Sequence, residues 1–523
     1  MNLLPVWEFF RELLNRTIFG LKPKSSKLIF ICKMTESFTS RGYDIGCLKC
    51  NKKCITNMQL CKRCFAMNSL VVDSGNVNID NFIKTTQSSI NEVNNDPFLE
   101  WVPFEKFTNV ECIGKGSFSQ IYKATWEKSI GINDEGIIER SKTEVVLKIL
   151  NNSQGVDTEI LKELKYTYQF RNGWGYIIKC YGVTQDPQTK NYAFILEYIK
   201  DGDLHHFIYK NFEKFTWIKK FIYLDSIIKG IKEIHDKKII HGDLHSGNIL
   251  VNNYHTIISD LGFCQPATID SDLSRKSPMY GLIPFMAPEL FKNQPFSYAS
   301  DIYNLGMIMW QMTSGYRPFH DQEHGPKLIV DILDGKRPEI TEDTPECWAN
   351  LMKKCWHPDP SQRSTILEIY ELSRKFEEYY KNYYYSEDYF KQYYPDQYDS
   401  WLELKEAEKK RLEMIESKKP FVKNPGYEHL DSRYYSRSLN SMIESINSKV
   451  SDLFSNSHLL SNDRFDIMNF NSNQKNDLEN SDHNSSAEIS KKHFLNELLE
   501  EEEINDRNDL KRKKIAEYFD ECN

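Results

Sequence analysis

The stretch His241-Gly242-Asp243-Leu244-His245-Ser246-Gly247-Asn248 decides how this chain is read. It sets a carboxylate five residues ahead of a carboxamide. The run begins after the apolar pair Ile239-Ile240 and ends on Ile249-Leu250-Val251, so strand-like segments bound it on both sides. A glycine stands immediately before Asp243 and an imidazole, His245, two residues after it.

Outward from this loop, other polar groups fall in a definite order. In Ile113-Gly114-Lys115-Gly116-Ser117-Phe118-Ser119-Gln120-Ile121, two glycines one residue apart let a strand–turn–strand backbone lie close over phosphates. Lys148 follows, 32 residues after Gly116, inside the apolar run Val145 to Leu150, which reads as a buried strand. A lysine in such a strand needs an anionic partner, or its burial costs several kcal/mol. The α- and β-phosphates of a nucleotide would supply one partner. Glu163, on a predicted helix from Thr158 to Phe170, would supply a second. Residues 194–199 read as another strand, residues 217–236 as an amphipathic helix, and residues 301–314 as an apolar buried helix. Asp260-Leu261-Gly262 comes twelve residues after Asn248, then Ala287-Pro288-Glu289, with Arg363 as the candidate ion-pair partner of Glu289.

Taken together, residues 103–375 resemble a eukaryotic protein kinase domain, and Asp301-Ile302-Tyr303 and Cys355-Trp356 resemble its tyrosine-kinase-like branch. The resemblance implies an α+β, two-lobed fold, with a small lobe over 103–199, a large lobe over 200–375, and ATP between them. It implies that Asp243 accepts the proton of the substrate hydroxyl, that Asn248 and Asp260 hold magnesium, and that Lys148, held by Glu163, positions the phosphates. It also places Ile113, Ile121, Val146 and Leu250 around the base, with Gly114, Lys115, Gly116 and Ser117 over the phosphates. Leu196 takes the gatekeeper position, Glu197 and Ile199 offer backbone groups to adenine, and Asp203 lies where a ribose contact is expected.

Several positions depart from that pattern. Gly242 replaces an arginine that pairs with activation-loop phosphate, so activation by that charge pair is not expected, although Thr268, Ser271, Ser274, Ser277 and Tyr280 are available acceptors. Ser119 replaces the third glycine, Val146 an alanine, and His245 a lysine, while Leu282 stands where a threonine marks serine/threonine kinases. The run from Gly281 to Glu289 still leans toward serine/threonine specificity, with tyrosine as the alternative.

The rest of the chain carries less. It has 523 residues, net charge −8, and no sustained basic stripe, which gives no support for nucleic-acid binding. No run of 18 uncharged apolar residues exists, so no membrane span is expected. Residues 1–40 read as a leader whose apolar part is interrupted by Glu8, Arg11, Glu12 and Arg16. Within residues 41–68, Cys47-x-x-Cys50 and Cys61-x-x-Cys64, ten residues apart, suit a structural tetrahedral zinc in a ribbon- or knuckle-like module, with free thiols as the alternative. Residues 69–102 read as a linker, 376–430 as a tyrosine-rich and helical extension, and 431–523 as a mostly disordered tail. The nine tyrosines between Tyr379 and Tyr398 read as aromatic packing rather than phosphoacceptors. The expected activity is phosphoryl transfer from Mg-ATP to protein substrates in intracellular signalling, in the cytoplasm first and the nucleus as the alternative. A nucleotide-binding pseudokinase scaffold and a zinc-module adaptor are its rivals, and the sequence leaves the oligomeric state open.

Overall fold

β-branched and aromatic runs alternate with amphipathic stretches through most of the chain, and the elements follow that alternation. The computed structural model describes residues 46–48, 60, 61, 64, 73–88, 98–132, 138–154, 157–170, 173–253, 255–267, 279–381, 383 and 386–446. They fall into two units, one drawn from Met1–Val71 and Lys128–Ser141 and the other from Val72–Glu127 and Lys142–Asn523. The leader, Cys50, the acceptors from Thr268 to Ser277 and the tail beyond residue 446 lie outside the described residues.

The second unit begins with α1 (Val77–Ser88) and the short strand β1 (Glu100–Trp101). Next come β2 (Thr108–Lys115), β3 (Ser119–Ile132), β4 (Ile138–Leu150), α2 (Asp157–Gln169), β5 (Cys180–Gln185) and β6 (Tyr192–Glu197), with the end of β3 from Lys128 and the start of β4 to Ser141 counted in the first unit. The strands form one sheet in the order β1-β5-β6-β4-β3-β2. β4 lies inside this sheet, antiparallel to β6 with Lys148 opposite Phe194, and buries Val145, Leu147 and Ile149. That burial explains why its buried lysine, Lys148, has to find a counter-charge inside the protein.

The large lobe is mainly helical. It contains α3 (Leu204–Asn211), α4 (Trp217–Asp236), β7 (Ile239–Ile240), β8 (Ile249–Asn252), β9 (His255–Ile258), β10 (Gln265–Pro266) and β11 (Tyr280–Gly281). It continues through α5 (Tyr298–Ser314), α6 (Pro326–Leu333), α7 (Glu346–Cys355) and α8 (Ile366–Lys381). Thr216 caps α4 by accepting a hydrogen bond from the Lys219 amide, and Ser297 and Ser300 form a reciprocal capping box at the start of α5. α5 is buried on nearly every side, as its apolar sequence requires of a helix at the centre of a lobe.

Two segments carry more structure than their composition announced. Residues 69–102 read as a linker, yet α1 forms there, with the Asn76 side chain accepting from the amides of Asn78 and Ile79. Ile79 and Ile83, one turn apart, are buried against Ile160, Leu164 and Tyr168 of α2. Beyond the large lobe, α9 (Glu387–Tyr393), α10 (Tyr398–Glu416) and β12 (Arg437–Ser438) are followed by helical residues 440–446. Structure therefore continues past residue 430, where the tail was expected to lose it. Leu439, Ile443 and Ile446 recur at helical spacing and are buried in the large-lobe core, and that burial holds the segment in place. No helix among the described residues is long and apolar enough to cross a membrane.

Candidate active site

Lys148 Nζ lies 2.7 Å from Glu163 Oε1 and 2.7 Å from Asp260 Oδ1. β4 supplies the lysine, α2 the glutamate, and the turn after β9 the aspartate. Burial works against the ammonium charge, but the two carboxylates outweigh it and raise the lysine pKa. Burial also pushes Asp260 toward the neutral form, and Lys148 more than reverses this, so its pKa falls below the ordinary carboxylate value. Asp260 has φ 61°, a left-handed conformation that a non-glycine residue keeps only where its surroundings enforce it. Gly262 is needed for a different reason: a Cβ there would come within 3.0 Å of Glu163 Oε2.

The loop from His241 to Asn248 is held from below by α5. Asp301, fully buried, accepts hydrogen bonds from the amides of His241 at 2.9 Å and Gly242 at 3.0 Å, and its Oδ2 lies 2.9 Å from His235 Nε2. Asn304 on the same helix donates to the Leu244 carbonyl at 2.7 Å. Gly242 has φ 79°, and a Cβ on it would stand 3.1 Å from the Phe263 carbonyl oxygen, so the departure from arginine also suits the local backbone. Burial lowers the pKa of His241, whose Nε2 lies 3.1 Å from the Ser259 carbonyl oxygen. Asn248 donates to the Asp243 carbonyl at 2.9 Å and approaches Asp243 Oδ2 at 3.5 Å, so the five-residue spacing brings carboxylate and carboxamide together. His245 Nε2 stands 3.7 Å from Asp243 Oδ2, and its Nδ1 accepts from the Gly247 amide.

Above the loop, the turn between β2 and β3 closes with the Gly116 amide donating to Ser119 at 2.8 Å, and Gly114 pairs with Ile121. The Ser117 carbonyl accepts from the Asn151 side chain, while the Lys115 side chain is exposed. Phe118 at the tip packs edge-on against Phe263 and Tyr280, with ring centroids 5.4 and 5.3 Å away. Ile199 and the half-buried Leu196 and Leu250 join Ile178 and Ile257 in a small apolar cluster. Val146 lies opposite Leu196, whereas Ile113 is half-exposed. Glu197 donates its amide to the Lys179 carbonyl. Asp203 caps α3 by accepting from the His206 amide at 2.9 Å, a structural task its sequence reading did not include.

The model of the protein tyrosine and serine/threonine kinase family matches residues 107–372. The chain belongs to this protein kinase family, whose members are ATP-dependent transferases. The kinase is 27% identical over 280 residues to the mouse receptor-interacting serine/threonine-protein kinase 4, covering 50% of this chain and 33% of that one. It is 27% identical over 300 residues to the Dictyostelium discoideum stress-activated protein kinase alpha, covering 54% of this chain and 43% of that one. A protein of Acanthamoeba polyphaga mimivirus named as a serine/threonine-protein kinase/receptor is 29% identical over 295 residues, 54% of this chain and 16% of that one. The kinase thus spans less than half the length of each of these relatives.

Two features of the kinase escaped motif reading. One is the anchoring role of Asp301. The other is the tail: Ser436 Oγ lies 3.1 and 2.9 Å from the two carboxylate oxygens of Asp243. The expected pair of Glu289 and Arg363 is present and bidentate, at 2.6 and 2.7 Å, and buried. In the other unit, the sulfurs of Cys47, Cys61 and Cys64 lie within 4.8 Å of one another, and Cys61 Sγ accepts from the Cys64 amide.

Proposed function

We propose that this kinase transfers the γ-phosphoryl group of ATP to serine or threonine hydroxyls of other proteins, as an intracellular signalling enzyme. The observation that supports the reading best is the buried ammonium of Lys148 bracketed at 2.7 Å by Glu163 and Asp260. A cation so placed is ready to meet phosphate oxygens with its orientation already set by Glu163. In this reading Gly114, Lys115, Gly116 and Ser117 cover the phosphates, and Ile113, Ile121, Val146 and Leu250 enclose the base. Glu197 and Ile199 offer backbone groups to its edge, and Asp203 reaches the ribose. Asn248 and Asp260 suit magnesium, a hard cation that takes carboxylate and carboxamide oxygens. Bound there, the metal would neutralise phosphate charge. Asp243 orients the acceptor hydroxyl and takes its proton. Serine/threonine specificity is supported by the names of the relatives and by the run from Gly281 to Glu289.

A second element of the proposal concerns the cysteines. Three sulfurs gathered within 4.8 Å, with an amide directed at one of them, suit a tetrahedral zinc site that Cys50 would complete. Such an ion would be a structural staple with no open coordination position.

The test is transfer of radiolabelled phosphate from Mg-ATP to casein by the full chain, beside the Asp243→Asn variant, with phosphoamino-acid analysis. Labelled phosphoserine or phosphothreonine at a rate at least 100-fold above the variant is expected from loss of the proton acceptor. Equal labelling by the two proteins would leave the scaffold reading in its place, and phosphotyrosine alone would reverse the specificity.

A further inference from the structure

Asp243 is the group proposed to receive the proton of an acceptor hydroxyl, and a hydroxyl of this same chain already stands on it. Ser436 Oγ is within hydrogen-bond distance of both carboxylate oxygens, at 3.1 and 2.9 Å. The approach is built into the backbone on both sides of the serine. After it, Arg437 and Ser438 form β12, antiparallel to β11 with Gly281 opposite Arg437 and Tyr280 opposite Ser438. The Leu439 amide donates to the Met279 carbonyl at 2.9 Å, the Met279 amide to the Asn440 side chain at 2.7 Å, and Leu439 is fully buried. Before it, the Tyr434 hydroxyl donates to the Pro318 carbonyl at 2.8 Å, and the Arg433 carbonyl oxygen lies 3.0 Å from His324 Nδ1. Among the described residues no other hydroxyl bonds to the Asp243 carboxylate: Tyr434 is engaged elsewhere, and Ser438 is an exposed member of the strand.

We propose that Ser436 is the kinase's own phosphoacceptor, docked in cis, and that its modification releases the segment. This rests on the kinase activity proposed above. In the transfer, Ser436 Oγ forms a bond to the γ-phosphorus of ATP while the bond from that phosphorus to the β–γ bridging oxygen breaks. ADP leaves with the electron pair, and the Ser436 hydroxyl proton passes to the Asp243 carboxylate. The product sets a phosphate dianion beside a carboxylate, and like-charge repulsion then opposes the strand pairing with β11. Until that event Ser436 occupies the position an external hydroxyl would need, so the segment excludes protein substrates and is cleared by its own phosphorylation.

The experiment uses the full chain, Mg-ATP and casein, with phosphosites mapped by mass spectrometry over a 50-fold range of protein concentration. Phosphate on Ser436, at a rate per molecule that does not change with dilution, is the expected result. Casein labelled while Ser436 stays unmodified overturns the inference and leaves the kinase reading standing. No label on either overturns both, and a rate proportional to protein concentration overturns the docked-in-cis arrangement. A readout that does not depend on turnover comes from amide hydrogen exchange of residues 437–443 in the Ser436→Glu variant. Exchange at least 10-fold faster than in the wild type is expected, while unchanged protection would show that charge at Ser436 does not release the segment.

Discussion

Lys148 illustrates how much one side chain decides here. Its ammonium is the shared counter-charge of Glu163 and Asp260, and among the described residues neither carboxylate has another cation within 4 Å. Removing it does more than delete a phosphate contact, because two carboxylates are then left facing each other in a buried site. Breaking a buried pair by removing one partner costs about 3–5 kcal/mol, part of it recovered if a carboxyl takes up a proton. Lys148→Met is therefore expected to lower the melting temperature of the nucleotide-free protein as well as to reduce phosphate transfer by about two orders of magnitude or more. Glu163→Gln keeps the ammonium opposite Asp260 and is expected to cost less stability. Thermal denaturation of both variants without nucleotide checks the ordering, and a Lys148→Met protein as stable as the wild type would contradict it. Asp301 works at the same scale from beneath the site, since it accepts the two amides that open the loop from His241 to Asn248.

At the scale of elements, the helix that carries Glu163 has a support outside the matched kinase region. α1 presses Ile79 and Ile83 onto α2, Phe82 meets Tyr168 edge-on at 5.9 Å, and the Tyr168 hydroxyl donates to the Thr86 carbonyl. An aspartate at Ile83 would bury an uncompensated carboxylate between the two helices, a change of the class that costs about 3 kcal/mol or more. Ile83→Asp is expected to loosen α2, raise the KM for ATP several-fold through Glu163, and speed amide exchange over residues 160–169. A variant with normal exchange there would mean that α1 does not brace α2. These elements also show what the sequence made legible. The core of β4, and α4 and α5, were readable because each carries an unbroken apolar run or an apolar face. The grouping of Lys148 with Glu163 and Asp260, and of Asp243 with Asn248, follows an order in the sequence that the fold converts into proximity. α1 was not readable, because its two core isoleucines stand among Asn, Ser and Asp residues whose composition resembles a linker. The docked tail was hidden for the same reason: Leu439, Ile443 and Ile446 are three apolar residues in a Ser/Asn-rich stretch, and only tertiary burial gives them meaning.

Over the whole molecule, the chain after α8 returns to the large lobe and fastens to it. The Trp217 amide donates to Glu408 and the Cys347 amide to Glu403, so α10 completes the open N-terminal ends of α4 and α7. Arg411 bonds to Glu408 and to the Glu213 carbonyl oxygen. Beneath this junction lies Lys220, fully buried, 4.0 Å from Asp343 and 4.2 Å above the Trp217 ring. Burial pushes its pKa down to about 8 against the opposing pull of Asp343. The sign of its effect follows from that depression. Between about pH 8 and the unfolded-lysine pKa, the unfolded chain holds a proton that the native state has released. Lys220 therefore penalises folding fully below pH 8, and the penalty is relieved as pH rises through that interval. Cys347 and Cys355, pushed up to about 12 by burial, act in the opposite direction over the same range, so the wild-type curve alone does not isolate the lysine. The comparison that does is with Lys220→Met. The wild type is expected to gain on the variant by about 2–3 kcal/mol between pH 8 and 10, measured as the difference in urea unfolding free energy. A difference that stays constant across that interval would mean that Lys220 keeps its proton when folded, with Asp343 and the Trp217 ring together offsetting its desolvation.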